Sequence, residues 1–189
     1  MKKQLKKLYN VWFRFSNRKY AVIGDNCIFS SKSRIINRTG RKEAITIKSN
    51  VMMHGSLIVE GDGNIALDEY VNIRRNVYIG STEKVSIGKY TVISDSVSIM
   101  DNNNHPTSPS KRLNMVQSGW SNDNWSWVHS VADSVEIGEN VWICQNVRVL
   151  KGVKIKDNSI VAASAVVSKN IERNTIYGGN PAKKLKDIK

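Results

Sequence analysis

From Ile137 onward an aliphatic residue returns at every sixth position: Ile137, Ile143, Val149, Ile155, Val161 and Val167. Four residues after each stands a small or β-branched one: Val141, Val147, Val153, Ser159, Ala165 and Ile171. The same step runs through Leu67, Ile73 and Ile79, and again through Ile87, Ile93 and Ile99. Ile79 and Ile87 are eight apart, so two extra residues fall within 81–84. Ile23, Phe29 and Ile35 are weaker candidates for an earlier turn of the pattern. A six-residue period is neither the 3.6 of a helix nor the plain alternation of a strand. It suits a short strand followed by a corner, with one aliphatic side chain pointing inward per flat face. Three faces then close a triangular coil of eighteen residues. Residues 137–154 and 155–172 make two such coils, and 67–104 two more with the insertion. Each coil buries its aliphatic side chains only against its neighbours, as in any solenoid. Buried Val and Ile at roughly 1.5–3 kcal/mol each supply most of the stability. The pattern predicts an all-β chain, a left-handed parallel β-helix with a long loop excursion and short terminal helices.

Three segments stand outside the period and set the predicted organisation. Residues 1–20 place Leu5, Leu8, Trp12 and Phe15 on one stripe at helical spacing, a basic amphipathic helix. Residues 21–176 hold the β-helix. They are interrupted at 101–134 by an excursion without period, rich in Asn, Ser and Trp. Loops of that length are usually functional. Residues 177–189 form a tail that leaves the prism through Gly178, Gly179, Asn180, Pro181, Ala182 and Lys183.

The chain of 189 residues, 40% hydrophobic, is long enough for one core without disulfides. It has no apolar run of membrane-spanning length and no secretory signal pattern, so a cytoplasmic protein is expected. Cys27 and Cys144 lie far apart with no His-Cys spacing around them, which excludes a disulfide framework and a zinc ribbon. The formal charge of +13 is concentrated at the ends. Residues 1–20 carry seven basic side chains and no acid, and the last ten carry four against Asp187. The body between holds 18 basic and 15 acidic residues, which argues against a groove for nucleic acid. The basic N-terminal stripe could hold the protein at the inner face of an anionic membrane. The alternative, and the favoured expectation, is that it caps the open end of the prism.

The period, the excursion and the C-terminal ending together resemble the hexapeptide-repeat acyltransferases, nearest to the maltose, galactoside and polysaccharide O-acetyltransferases. The resemblance covers roughly residues 65–186. It is carried by Ile-Gly-Glu-Asn-Val-Trp-Ile at 137–143, by Asn104-His105-Pro106, and by Gly-Asn-Pro-Ala-Lys at 179–183. It implies a homotrimer in which neighbouring prisms sandwich acetyl-CoA as co-substrate, without a metal. His105, at the start of the excursion, is implied as general base. A sugar hydroxyl is a poor nucleophile until a neutral imidazole accepts its proton. A flanking carbonyl or carboxylate would fix the imidazole tautomer.

For the cofactor, the resemblance implies Ala162 and Ala163 along the pantetheine arm. Ser168 and Lys169 fall to the nucleotide end, Lys183 and Lys186 are cations for its phosphates, and Asn180-Pro181 is the exit motif. Trp142 is implied near the thioester, beside Cys144, whose backbone N–H could serve as an oxyanion donor. Nothing near Cys144 in sequence would make its thiol a nucleophile. For the acceptor, the candidates are Arg74, Asn76, Asn104 and Trp120. Trp125 and Trp127, in the same loop as Trp120, could face a sugar or pack.

The function so implied is acetyl transfer to a sugar hydroxyl of a bacterial surface polysaccharide or its precursor. The alternative within enzymes is N-acetylation of an amino-sugar nucleotide or acetylation of a xenobiotic. A zinc hydratase of β-helix type would need three converging histidines. His54, His105 and His129 are spaced 51 and 24 apart, which does not favour it. A non-catalytic scaffold would leave the Asn-His-Pro and Asn-Pro-Ala-Lys motifs unexplained.

Overall fold

The computed structural model describes residues 2–120 and 122–189, the side chains of Lys2, Lys3 and Lys6 excepted. The charges of those three lysines therefore lie outside the described side chains. The chain winds a left-handed parallel β-helix with three flat faces. Face A has six strands, from Val22–Ile23 to Lys154–Ile155, and face C six, from Arg34–Asn37 to Val166–Val167. Face B has eight, beginning at Ile28–Phe29 and ending with Thr175–Gly178 and Lys183–Asp187.

The inward residues stack in register. On face A they are Ile23, Ile47, Leu67, Ile87, Ile137 and Ile155. Face B contributes Phe29, Met53, Ile73, Ile93, Ile143 and Val161. Face C contributes Ile35, Leu57, Ile79, Ile99, Val149 and Val167. All are buried except Ile23 and Ile35, which pack at the N-terminal end.

These columns define six coils and show where the strict period fails. Every step from face A to face B is six residues. The steps from face B to face C are also six, except Met53 to Leu57, which is four. That corner is short at Gly55, where an added Cβ would lie 2.6 Å from the Val77 carbonyl oxygen. The second coil was therefore invisible to a six-residue reading. The third corner absorbs the rest of the length variation. From Ile35, Leu57, Ile79, Ile99 and Val149, the steps to face A are twelve, ten, eight, thirty-eight and six residues. The excursion is the extreme case of a corner that is variable throughout.

Most of the A–B and B–C corners turn through left-handed residues. Asn26, Asn50, Asn140, Asn158 and Asn174 occupy the A–B corner at positive φ, and Asn76 and Asn146 the B–C corner. Asparagine visits this region more readily than other side-chain-bearing residues. Three also bond along the axis: Asn140 Nδ2 donates to Asn158 Oδ1 and Asn158 Nδ2 to Asn174 Oδ1, each at 3.0 Å.

Helix α1, Lys2–Asn17, closes the N-terminal end. Phe13 is buried and stacks on Phe29 at 4.3 Å. Tyr9 donates its hydroxyl to the Ser30 carbonyl at 2.8 Å, and the Asn10 side-chain oxygen accepts the Phe29 N–H at 2.9 Å. The stripe read from the sequence points away from the prism, since Leu5, Leu8, Trp12 and Phe15 are all exposed. The first coil presents unpaired backbone groups, and Tyr9 and Asn10 carry the polar atoms that satisfy them.

At the other end the expectation of a short helix is corrected. Lys183–Asp187 is a strand, antiparallel to Thr175–Gly178. The last parallel strand of face B leaves an open edge, and an extended segment supplies its hydrogen bonds.

The excursion is tied at its root. Asn102 bridges Ala132, the Asp133 N–H donates to the Asp101 carbonyl at 2.8 Å, and the Asn103 N–H to the Val131 carbonyl at 3.1 Å. It carries a helix, α2 (Pro109–Gln117), whose Met115 is buried, and two single 3₁₀ turns.

Candidate active site

The residues singled out from the sequence fall on two edges of the prism. Along the B–C edge runs a column one residue past face B: His54, Arg74, Ser94, Cys144, Ala162 and Gly178. Each N–H in it, from His54 to Ala162, donates to a face-B carbonyl of the next coil, at 2.8–2.9 Å. The bond from the Cys144 N–H to the Val161 carbonyl, at 2.9 Å, belongs to this ladder. That corrects the expectation of an oxyanion donor, because the amide is already engaged. The Cys144 thiol is half-buried, and burial pushes its pKa up.

Trp142 lies on the outer side of face B, about half exposed, and its indole N–H donates to Ser94 Oγ at 3.3 Å. Ala162 is half-buried and Ala163 exposed, so the column offers small side chains between Trp142 and the tail. At Gly178 an added Cβ would stand 3.0 Å from Leu185 Cδ1 and 3.1 Å from the Ala162 methyl. The tail strand thus packs onto the column, with Lys183 paired to Gly178 and Lys186 to Ile176. Lys183 and Lys186 are exposed and make no ion pair among the described residues, whereas Lys184 holds Asp187 at 2.7 Å. Asn180 and Pro181, joined by a cis peptide, form the exposed turn into that strand. Arg74, half-buried, and Asn76, exposed, stand on the same edge in the third coil.

The C–A edge carries the excursion and with it His105. Asn104 turns at positive φ, its N–H held by Asn102 Oδ1 at 2.9 Å, and is exposed. The His105 N–H donates to the Asn103 carbonyl at 2.7 Å. Its ring is half-buried and meets Trp125 edge-on, while Nδ1 is buried without a hydrogen-bond partner among the described residues. The expected tautomer-fixing carbonyl or carboxylate is therefore not supplied by the described part of this chain.

Trp125 in turn stacks on Trp120 at 4.5 Å, and Trp120 is 86% exposed. Trp127 does not face solvent with them; it packs edge-on to Tyr78 at 6.2 Å. Ser168 and Lys169 are exposed at the C–A corner of the sixth coil. They are separated from Ala162 and Ala163 by the width of face C, so the structure does not join these two pairs within one chain. His54 sits on the B–C edge, and His129 lies in the excursion 3.5 Å from Asp123.

Sequence reasoning missed what holds the excursion in place. Glu60, 4% exposed at the end of a face-C strand, accepts Ser126 Oγ at 3.0 Å and the Trp127 N–H at 2.9 Å, and pairs with Arg38. Trp127 rests over Gly80, where an added Cβ would lie 2.9 Å from its ring, and Val128 fills the space a Cβ at Gly61 would take. At the root, the buried Asp101 carboxylate accepts the Ser81 hydroxyl at 2.6 Å and the Thr82 and Glu83 N–H groups at 2.9 Å. The available signal was an acid followed by glycine, Glu60-Gly61, directly after an aliphatic strand. Between the loop and the prism lies a cleft of about 550 Å³, lined by Arg38, Glu60, Trp120, Asp123 and Trp125 among others.

Residues 134–169 match the Bacterial transferase hexapeptide (six repeats) family. The chain is 37% identical over 133 residues to a probable macrolide acetyltransferase of Lysinibacillus sphaericus, covering 62% of this chain and 67% of that protein. It is 35% identical over 126 residues to WbbJ of Escherichia coli (strain K12), a putative lipopolysaccharide biosynthesis O-acetyl transferase. That match covers 67% of this chain and 62% of the relative, so the chain spans about three fifths of its length. Among solved structures, a mutant of the N-acyltransferase AntD from Bacillus cereus, in complex with dTDP and coenzyme A, superposes with a TM-score of 0.70. It is 19% identical, and the superposition covers 100% of this chain and 90% of that one, a likeness of fold. Taken with the six stacked coils, these similarities show that the chain belongs to the bacterial hexapeptide-repeat transferase family and is an acyltransferase.

Proposed function

We propose that the protein transfers an acetyl group from acetyl-CoA to a sugar hydroxyl of a bacterial surface polysaccharide or its precursor, in the cytoplasm. In this reading the neutral imidazole of His105 accepts the proton of the acceptor hydroxyl as its oxygen attacks the thioester carbonyl carbon. The carbon–sulfur bond then breaks, and the departing coenzyme thiolate takes up the proton from the imidazolium. Trp142, Cys144, Ala162 and Ala163 line the pantetheine arm, with Ser168, Lys169, Asn180, Pro181, Lys183 and Lys186 toward the nucleotide. The acceptor meets Asn104 and Trp120, with Arg74 and Asn76.

One observation carries the reading. The candidate base and the column of small residues lie on different edges of the prism, so one chain offers two halves of different sites. A C3 homotrimer sets the B–C edge of one subunit against the C–A edge of the next and completes three equal sites. It also brings Ser168 and Lys169 of one subunit within reach of a coenzyme lying along its neighbour.

The acceptor class is supported by the E. coli relative, whose name places it in lipopolysaccharide biosynthesis. A second reading, N-acylation of an amino-sugar nucleotide, is favoured by the AntD superposition over the whole chain. The deciding experiment follows coenzyme release with purified protein against sugars, oligosaccharides, amino-sugar nucleotides and a macrolide, with light scattering for the assembly. Transfer to a hydroxyl by a trimer is the expected result. Transfer to an amine alone would replace the acceptor, and a stable, active monomer would remove the shared site.

A further inference from the structure

The apolar stripe of α1 has no partner in the described fold. Leu5, Leu8, Val11, Trp12 and Phe15 are each 59–65% exposed. At about 100° per residue they fall within roughly one third of the helix circumference. Tyr9, Asn10 and Phe13, which dock the helix onto the first coil, lie outside that arc. The helix therefore caps the prism with one side and presents its apolar side outward, so the two roles that the sequence left as alternatives are compatible.

The charges around the stripe are of one sign. Residues 1–20 contain no acid. Lys7 flanks the stripe on the helix, and Arg18, in the turn directly after it, sets its guanidinium 4.3 Å over the Phe15 ring. Lys19, just past the helix, lies 4.7 Å over Tyr20. Arg14 alone among the described cations of this segment is ion-paired, to Asp25 at 2.9 Å. Among the described residues no helix is long and apolar enough to cross a membrane, so any lipid contact of α1 lies in the plane of the surface.

We propose that α1 is a peripheral anchor for an anionic bilayer. Its Leu5, Leu8, Trp12 and Phe15 side chains enter the headgroup region, and Lys7, Arg18 and Lys19 meet lipid phosphates. The charge pattern selects lipid over a second copy of this chain. Two such helices face to face would crowd their cations with no acid between them, whereas an anionic surface neutralises them. The inference goes beyond acetyl transfer and does not depend on it. One helix of this size binds weakly; in a C3 trimer, rotation sets three caps on one face of the assembly, where they bind together. That multiplication rests on the proposed trimer, but the contact of each helix does not.

The test is flotation of the full chain with vesicles of phosphatidylglycerol and phosphatidylcholine against vesicles of phosphatidylcholine alone. The protein should float with the anionic vesicles only. The double variant Trp12→Glu/Phe15→Glu, altered at exposed positions, should float at least about tenfold less while melting as the parent does. Lys7→Glu/Arg18→Glu should lose binding similarly, and raised salt should weaken it. Absence of flotation would overturn the proposal, as would flotation indifferent to Trp12→Glu/Phe15→Glu. It also falls if the parent fails to float and light scattering shows a larger assembly that the apolar variant reduces, because the stripe then meets another copy of the chain.

Discussion

The imidazole of His105 stands edge-on to the indole of Trp125, with ring centroids 5.7 Å apart and planes at 88°. Trp125 is followed directly by Ser126 and Trp127, which Glu60 holds through their hydroxyl and backbone N–H. A carboxylate in the second coil, two coils below the one from which the excursion leaves, thus holds the segment next to the ring that His105 meets.

Glu60→Ala removes the acceptor of both bonds and the partner of Arg38. A loss of about 1–3 kcal/mol of stability is expected, because the Trp127 N–H is left without its acceptor. Turnover should fall with it as Trp125 loosens, while KM for acetyl-CoA stays near the parent value. Thermal denaturation and steady-state kinetics check the two effects separately.

His105→Ala should keep the fold, the assembly and acetyl-CoA affinity, with turnover lower by about 10²–10⁴-fold. His54→Ala and His129→Ala should lose far less. The assay needs the true acceptor, since slow thioester hydrolysis would mask the loss.

Burial holds the Cys144 thiol protonated to a higher pH than an ordinary cysteine. The thiolate is the reactive form, so between neutrality and mild alkali Cys144 should alkylate more slowly than a cysteine in an unfolded peptide. Raising the pH should narrow the difference as the folded thiol ionises. Mass spectrometry after timed iodoacetamide treatment reads this out. Cys144→Ala should remain active, and a dead Cys144→Ala beside a fully active His105→Ala would replace direct attack with an acyl-enzyme route.

Lys183→Ala/Lys186→Ala should raise KM for acetyl-CoA with a smaller effect on kcat, since phosphate contacts contribute equally in ground and transition states. Neither lysine is tied up in an ion pair among the described residues. An unchanged KM would leave both as solvated surface.

The asparagine ladder can be tested through its backbone. Asn158 holds φ at +57° and bonds to Asn140 and Asn174. Asn158→Ala should cost at least about 1–2 kcal/mol from the left-handed conformation. Asn158→Gly should cost less, because glycine occupies that region without strain. Urea denaturation of the two variants gives the comparison.

What the sequence determined by itself was whatever repeats locally. An aliphatic at every sixth position can be buried only by stacking like on like, so the coils from Leu67 on, the inward columns and the break at 101–134 follow from spacing alone. The motifs around His105 and Asn180 were legible for the same reason, being short and contiguous. The tertiary structure decided everything that depends on which unpaired groups meet. It shortened the corner at Gly55 and so hid the second coil. It turned the Leu5–Phe15 stripe outward, because Tyr9 and Asn10 carried the atoms that the first coil needed. It drew the tail into a strand along an open edge, and engaged the Cys144 amide in the coil-to-coil ladder. It also set Glu60 under a loop more than sixty residues away. A period records what each coil does with its neighbours, whereas these contacts join parts of the chain that share no period.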